Sequence, residues 1–263
     1  MNVAKKDILY GDDFTIEAIN QWYKEEEEAY ANLYGESVTS NTFEHTNFDT
    51  LFGFNRIPQK KYKNVLGFGA SWGYEFLPFI QNIEQLTIIE SSEKTVSEKL
   101  GDIRPTYLKS LSSGTIELAD NTFDLLTSFS VLHHIPNVTY VLSELIRITK
   151  KNGYLLIREP IHSMDLGNPQ RTGLTKNERG IPKSYLLDIL KNNNCEIVHA
   201  SYHYFMYAFL SRKLKNPAFM RSKVYLRIDK FFSRLFLWNL HYVAKNPSQR
   251  IAPQYIYIVA RKK

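Results

Sequence analysis

Apolar and polar positions alternate along this chain in a way that separates short extended runs from helical ones. Val65 and Leu66 close one apolar run, and Gly67, Gly69 and Gly73 follow within seven residues. Apolar residues then recur at Phe76, Leu77 and Ile80, which predicts a helix over 74–82. Leu86-Thr-Ile-Ile-Glu90 is β-rich and ends in an acid 17 residues past Gly73. Phe123 to Ser130 predicts another strand, with an amphipathic helix (Leu142, Leu145, Ile146, Ile148) and a strand from Tyr154 to Pro160 after it. Further on come a helix over 183–192, a strand from Glu196 to Tyr202 and a last strand from Gln254 to Ala260. Upstream, Asp12-Asp13-Phe14-Thr15 reads as a helix start, with a helix from Ile16 to Leu33 closed by Gly35.

Strand, glycine-rich turn and helix start form the physical unit that holds a nucleotide-like ligand. Glycine lets the backbone approach the ligand, and the first helical N–H groups favour polar or anionic atoms. Glycines at this spacing also mark ordinary tight turns, so Glu90 adds weight: an acid ending the second strand accepts hydrogen bonds from ribose hydroxyls. Alternating strands and helices imply an α/β fold.

Taken together, V-L-G-F-G-A-S-W-G, the Glu90 strand, F-D-L-L followed by L-H-H, and K-N-G before Tyr154 resemble class I S-adenosylmethionine-dependent methyltransferases. The resemblance covers residues 60–160 closely and is nearest to the branch that methylates small molecules. It implies a Rossmann-like seven-stranded, mostly parallel sheet with an antiparallel last strand and helices on both faces. A helical cap would occupy 1–60, the core 61–203 and 254–263, and a helical insertion 204–253. Segments before the first strand fold over the cofactor as a lid in that family, a role open to Asn47 to Phe54. Two departures stand out: Gly67 replaces the usual Asp, a polar anchor near the cofactor's amino-acid end, and Ser71 replaces the middle Gly.

The resemblance implies S-adenosyl-L-methionine as cofactor, held by Gly67, Gly69, Ser71, Gly73, Glu90, Ser112 and Ser130. Thr106 to Lys109 would be the third strand, and the loop after it would meet the adenine with Ser112, Ser113 and Gly114 where relatives often place an Asp. His133 and His134 fall beside the transferred methyl group. A histidine of near-neutral pKa can take a proton from an attacking hydroxyl; bracing the loop is the structural alternative. Glu159, at the end of the next strand, is a candidate base or substrate anchor, again against a structural role. Adjacent histidines seldom converge on one metal ion without further ligands, and no metal motif is read. The 21-residue polar loop from His162 to Pro182 is long for a compact domain unless functional, so Arg171, Lys176 and Arg179 are candidate substrate contacts. This loop resembles, more faintly, those of bacterial surface-glycan methyltransferases.

Composition refines the picture. The 263 residues suit one α/β domain with a cap, and 43% hydrophobic content supplies a core. A single cysteine, Cys195, excludes an internal disulfide and suits a reducing cytoplasm. The N-terminus lacks a signal-peptide core, and no apolar run is long enough to span a membrane. Glu25 to Glu28 read as a solvated acid face. Nine Lys/Arg against one acid, Asp229, lie between Ser211 and Lys245, interleaved with aromatics. That insertion suggests an acceptor cover with a basic rim, fitting a lipid-linked or phosphate-bearing glycan at the inner membrane face. The leading expectation is O-methylation of a small molecule or glycan. Nucleic acid is disfavoured, because Ser128-Phe-Ser-Val131 replaces the motif of base amino-group methyltransferases. The alternatives are methylation of RNA ribose or ring carbon, and a cofactor-binding relative without catalysis. An NAD oxidoreductase fits the glycine turn but not the His-His and Lys-Asn-Gly motifs.

Overall fold

The computed structural model describes residues 4–5, 8–33, 46–168, 175–205 and 219–263. A two-stranded antiparallel pair, β1 (Ala4–Lys5) and β2 (Ile8–Leu9), leads into helix α1 (Ile16–Leu33). The main sheet has seven strands: β3 (Tyr62–Phe68), β4 (Ile83–Glu90), β5 (Thr106–Lys109), β6 (Phe123–Phe129), β7 (Thr149–Pro160), β8 (Cys195–His203) and β9 (Tyr255–Lys262). Their order is β5-β4-β3-β6-β7-β9-β8, and β9 alone runs antiparallel, paired with both β7 and β8. This is the Rossmann-like sheet anticipated from the sequence. The chain builds outward from β3 through β4 and β5, then returns to place β6 on the other side of β3. The resulting switch point lies at the carboxyl end of β3, where ligands enter open α/β sheets.

Near-continuous apolar strands such as Val65-Leu66 and Leu155-Leu156-Ile157 are buried because both sheet faces are covered. One face packs Leu66, Leu126 and Leu155 against helices α3 (Val138–Ile148) and α4 (Lys183–Asn192). The other packs Val65, Leu125 and Leu156 against Phe48 and Phe52 of α2 (Thr46–Phe52) and Leu226 of α5 (Lys223–Leu235). Residues 47–54 are thus wedged into the core, with Phe48, Phe52 and Phe54 all buried. The helix expected over 74–82 is present as a 3-10 helix, Tyr74–Asn82, with Pro78 inside it. Proline has no N–H and its ring crowds the preceding turn, so Pro78 interrupts a regular α-helical ladder at this point.

Candidate functional site

The turn after β3 is held in one shape from three sides. Gly69 N–H donates to the Ile89 carbonyl at 2.8 Å, and Gly73 N–H to the Ala70 carbonyl at 2.7 Å. From β5, the Tyr107 hydroxyl donates to the Ser71 carbonyl at 3.0 Å. Gly69, Ser71 and Gly73 have φ of 65°, 46° and 73°. Only Ser71 carries a side chain in that left-handed region, a strain that concentrates at functional sites. Ser130, at the end of β6 across the switch point, shares it with φ 60°.

Glu90 reaches into this turn. Its Oε2 accepts from Ser71 N–H at 2.9 Å, and its Oε1 from the N–H groups of Ser91 (2.9 Å) and Ser92 (3.3 Å). Beyond it opens a cleft of about 350 Å³, with Phe68, Ile89, Leu108 and Ile116 as apolar walls and Ser110 and Gly114 on its rim. Its size and apolar walls suit a flat heterocycle. Ser112 is exposed and does not line the cleft; its polar lining includes Lys109, Ser110, Thr115 and Glu117.

Gly67 is where the packing departs most from the resemblance. A Cβ there would meet Ala70 Cβ at 2.7 Å and Phe76 Cε2 at 2.9 Å, so no acid fits. An acid arrives instead from the following 3-10 helix: Glu75 accepts a 2.6 Å hydrogen bond from Thr127 Oγ1. Thr127 is the β6 register partner of Gly67, so the Glu75 carboxyl lies beside the vacated side-chain position. Burial pushes its acid up to about 8, against the lowering effect of the Thr127 hydrogen bond. Nothing in the sequence singled Glu75 out, since an acid in a first helical turn is ordinary.

At the end of β6, five side chains cluster as a hydrogen-bonded Glu159–His133–Glu178 run beside a Glu26–His134 pair. His133 is buried with Nδ1 at 2.7 Å from Glu159 and Nε2 at 3.1 Å from Glu178. Glu159 also accepts from the Val131 and Leu132 N–H groups at 2.9 and 2.8 Å. Burial pulls His133 down, but the two carboxylates outweigh it and lift its pKa to about 9. His134 differs. Its Nδ1 lies 2.9 Å from Glu26, and its Nε2 is 3.9 Å from Glu178. Burial and then the His133 charge hold His134 below the ordinary histidine value. Glu26 comes from α1 and is buried, receiving Thr175 Oγ1 at 2.7 Å as well. This corrects the solvated reading of the Glu25 to Glu28 run: one of its acids turns inward. One ligand atom each from His133, His134 and Glu178 lies within 4.8 Å of the others, a spacing that could hold a metal ion. The further ligand that the adjacent histidines lacked in sequence is Glu178.

The polar loop supplies structure here more than free cations. Arg179 is fully buried, with its guanidinium donating to the carbonyls of Tyr10, His133, Ile135 and Pro136 and lying 5.3 Å over Trp22. Burial lowers its pKa to about 10. It therefore ties the N-terminal segment to the histidine loop, where the sequence suggested a substrate contact. Lys176 is exposed and pairs with Glu25 at 3.0 Å. Arg171 lies outside the described residues.

Residues 66–157 match the family model described as a methyltransferase domain. No curated protein matches the chain in sequence. Among solved structures, a phosphoethanolamine N-methyltransferase of Haemonchus contortus has a TM-score of 0.60 at 13% identity, covering 97% of this chain and 51% of its own. The [4+2]-cyclase SpnF has a TM-score of 0.57 at 16% identity, with 94% and 96% covered. An S-adenosylmethionine-dependent methyltransferase of Mesorhizobium loti has a TM-score of 0.54 at 13% identity, with 82% and 98% covered. At these identities the likeness is one of fold, and a cyclase among the neighbours shows that this fold carries more than one chemistry.

Proposed function

We propose that this chain, a class I S-adenosylmethionine-dependent methyltransferase by its matched domain and its fold, methylates a hydroxyl of a small molecule or glycan, with His134 as the base. Its own residues fit the cofactor. Gly69 and Gly73 let the backbone of the turn 69–73 come close to a ligand, Glu90 stands ready for ribose hydroxyls, and the cleft beside Phe68 suits adenine. Glu75 offers the methionine ammonium a carboxylate beside position 67. The sulfonium supplies an already activated methyl group, so the protein's work is alignment and proton removal.

The observation that carries the base assignment is the Glu26–His134 hydrogen bond of 2.9 Å. Nδ1–H donated to a carboxylate leaves Nε2 as the proton acceptor, and a lowered pKa keeps it unprotonated at neutral pH. His133, with both ring nitrogens engaged, and Glu159, with two backbone donors, hold His134 and its loop in place. Replacing His134 with Gln should reduce turnover by roughly 10²–10⁴ with little change in cofactor affinity. Mass spectrometry of metabolites or glycans from cells with and without the protein, searching for a gain of one methyl, identifies the acceptor. Turnover unaffected by His134→Gln would leave the enzyme as an alignment device without this base.

The spacing of His133, His134 and Glu178 favours a second reading, a metal ion that orients the acceptor oxygen. Metal content of the purified protein, and turnover before and after chelation, separate the two.

A further inference from the structure

Helix α5 carries an apolar stripe on its outer side. Val224, Ile228, Phe231 and Leu235 are 62%, 49%, 64% and 55% exposed, and Trp238 just beyond is 78% exposed. At about 100° per residue these four helical side chains fall within about 60° of one another. The core-facing residues Tyr225, Leu226, Asp229 and Ser233 are buried on another side, about 145° round the helix. Lys223, Arg227 and Arg234 are exposed and form a third row, about 90° from the apolar stripe. Of fifteen large exposed apolar side chains among the described residues, seven lie between Phe219 and Trp238. Scattered singles need no explanation, but a continuous stripe marks an interaction surface.

One side chain anchors the helix to the carboxyl end of β8. Asp229, the lone acid of the insertion, is buried and accepts from the N–H groups of Tyr204 and Phe205 at 2.8 and 3.0 Å. Those residues follow directly on β8, which runs parallel to β7 because both pair antiparallel with β9. Asp229 therefore ties the helix to the carboxyl end of β8, the sheet end that also carries the turn 69–73 and the histidine loop, while the outer face of α5 points away from the sheet face that Leu226 covers.

We propose that the outer face of α5 docks on an anionic lipid bilayer surface, with Val224, Ile228, Phe231, Leu235 and Trp238 entering the interface and Lys223, Arg227 and Arg234 meeting lipid phosphates. An apolar face bordered by cations is the pattern of helices that lie in the membrane interface. Charge decides against a second copy as occupant: a two-fold interface sets the same patch against itself and would bring two basic rows together. Among the described residues no helix is long and apolar enough to cross a membrane, so this contact is peripheral. It deepens the proposed function, on which it rests, by naming a lipid-linked acceptor class, since the contact brings the enzyme to the bilayer that carries such an acceptor.

Vesicle flotation of the full chain tests this, with phosphatidylcholine vesicles compared with vesicles holding roughly 30 mol % phosphatidylglycerol. Recovery should be confined to the anionic vesicles and should weaken with salt. Phe231→Ser with Leu235→Ser should abolish it without changing the melting temperature, because both side chains are already exposed. Arg227→Gln with Arg234→Gln should lower the partition coefficient by roughly fivefold per charge. Equal recovery from both vesicle types, or from neither, overturns the proposal. So does a dimer in analytical ultracentrifugation that the Phe231/Leu235 variant dissociates, since the stripe would then be covered by a second copy. Cofactor titration of the same variants should match wild type, so failure here is distinguishable from failure of the methyltransferase reading.

Discussion

Three acids at the cofactor edge do different work because their surroundings differ. Glu90 is held by backbone donors, Glu75 is half-buried with its carboxyl on the Thr127 hydroxyl, and Glu26 orients His134. If Glu75 pairs with the methionine ammonium, binding must ionise an acid whose pKa stands at about 8. Calorimetry near pH 7 in buffers of different ionisation enthalpy should then show release of up to one proton on binding, and Glu75→Gln should remove it. Equal proton release in both proteins would assign that proton elsewhere. For His134, turnover should rise with pH only below the ordinary histidine range and then level off. The Glu26 carboxylate raises the His134 pKa, so Glu26→Gln should move the acid limb of the pH–rate profile to lower pH and reduce the plateau. Glu90 was legible in the sequence because it ends an apolar strand at a fixed distance from the glycines. Glu75 and Glu26 were not, since each sits among ordinary first-turn or surface acids and only tertiary packing turns it inward.

The glycine turn shows how a sequence departure is absorbed by an element. At Gly67 an added Cβ lies 2.7 Å from Ala70 Cβ, so Gly67→Ala should destabilise by about 1–3 kcal/mol through overpacking. Ser71, at φ 46°, should respond in the opposite sense. Ser71→Gly should raise stability by up to about 1 kcal/mol by relieving the left-handed strain, read from urea midpoints. A loss on Ser71→Gly would mean that its side chain holds the turn. The strands and long helices could be read from period alone, because a buried parallel strand and an amphipathic helix each leave a pattern. The 162–182 loop could not. Its polar composition suggests solvent or substrate, yet Arg179 spends its donors on four main-chain carbonyls, a role that depends on where α1 and the histidine loop meet in space.

The whole molecule joins two apolar layers across one sheet, and its edge concentrates the groups that titrate out of range. His133 is raised to about 9 between two carboxylates, so its contribution is full below the unfolded value near 6.5 and is lost as pH rises through 9. Glu75 has the same sign: an acid raised to about 8 disfavours the folded state as pH rises from its unfolded value toward 8. The free protein should therefore lose thermal stability between pH 6.5 and 9, on the order of 3 kcal/mol from His133 alone, and Glu75→Gln should flatten the part that lies below pH 8. The cofactor's place at this edge is tested most directly by calorimetric titration of S-adenosylmethionine into wild type and Glu90→Ala. The account predicts one site per chain, weakened in the variant by about 1.5–3 kcal/mol, the scale of hydrogen bonds to a charged group. Equal affinity in the two proteins, or no binding by wild type, would contradict it.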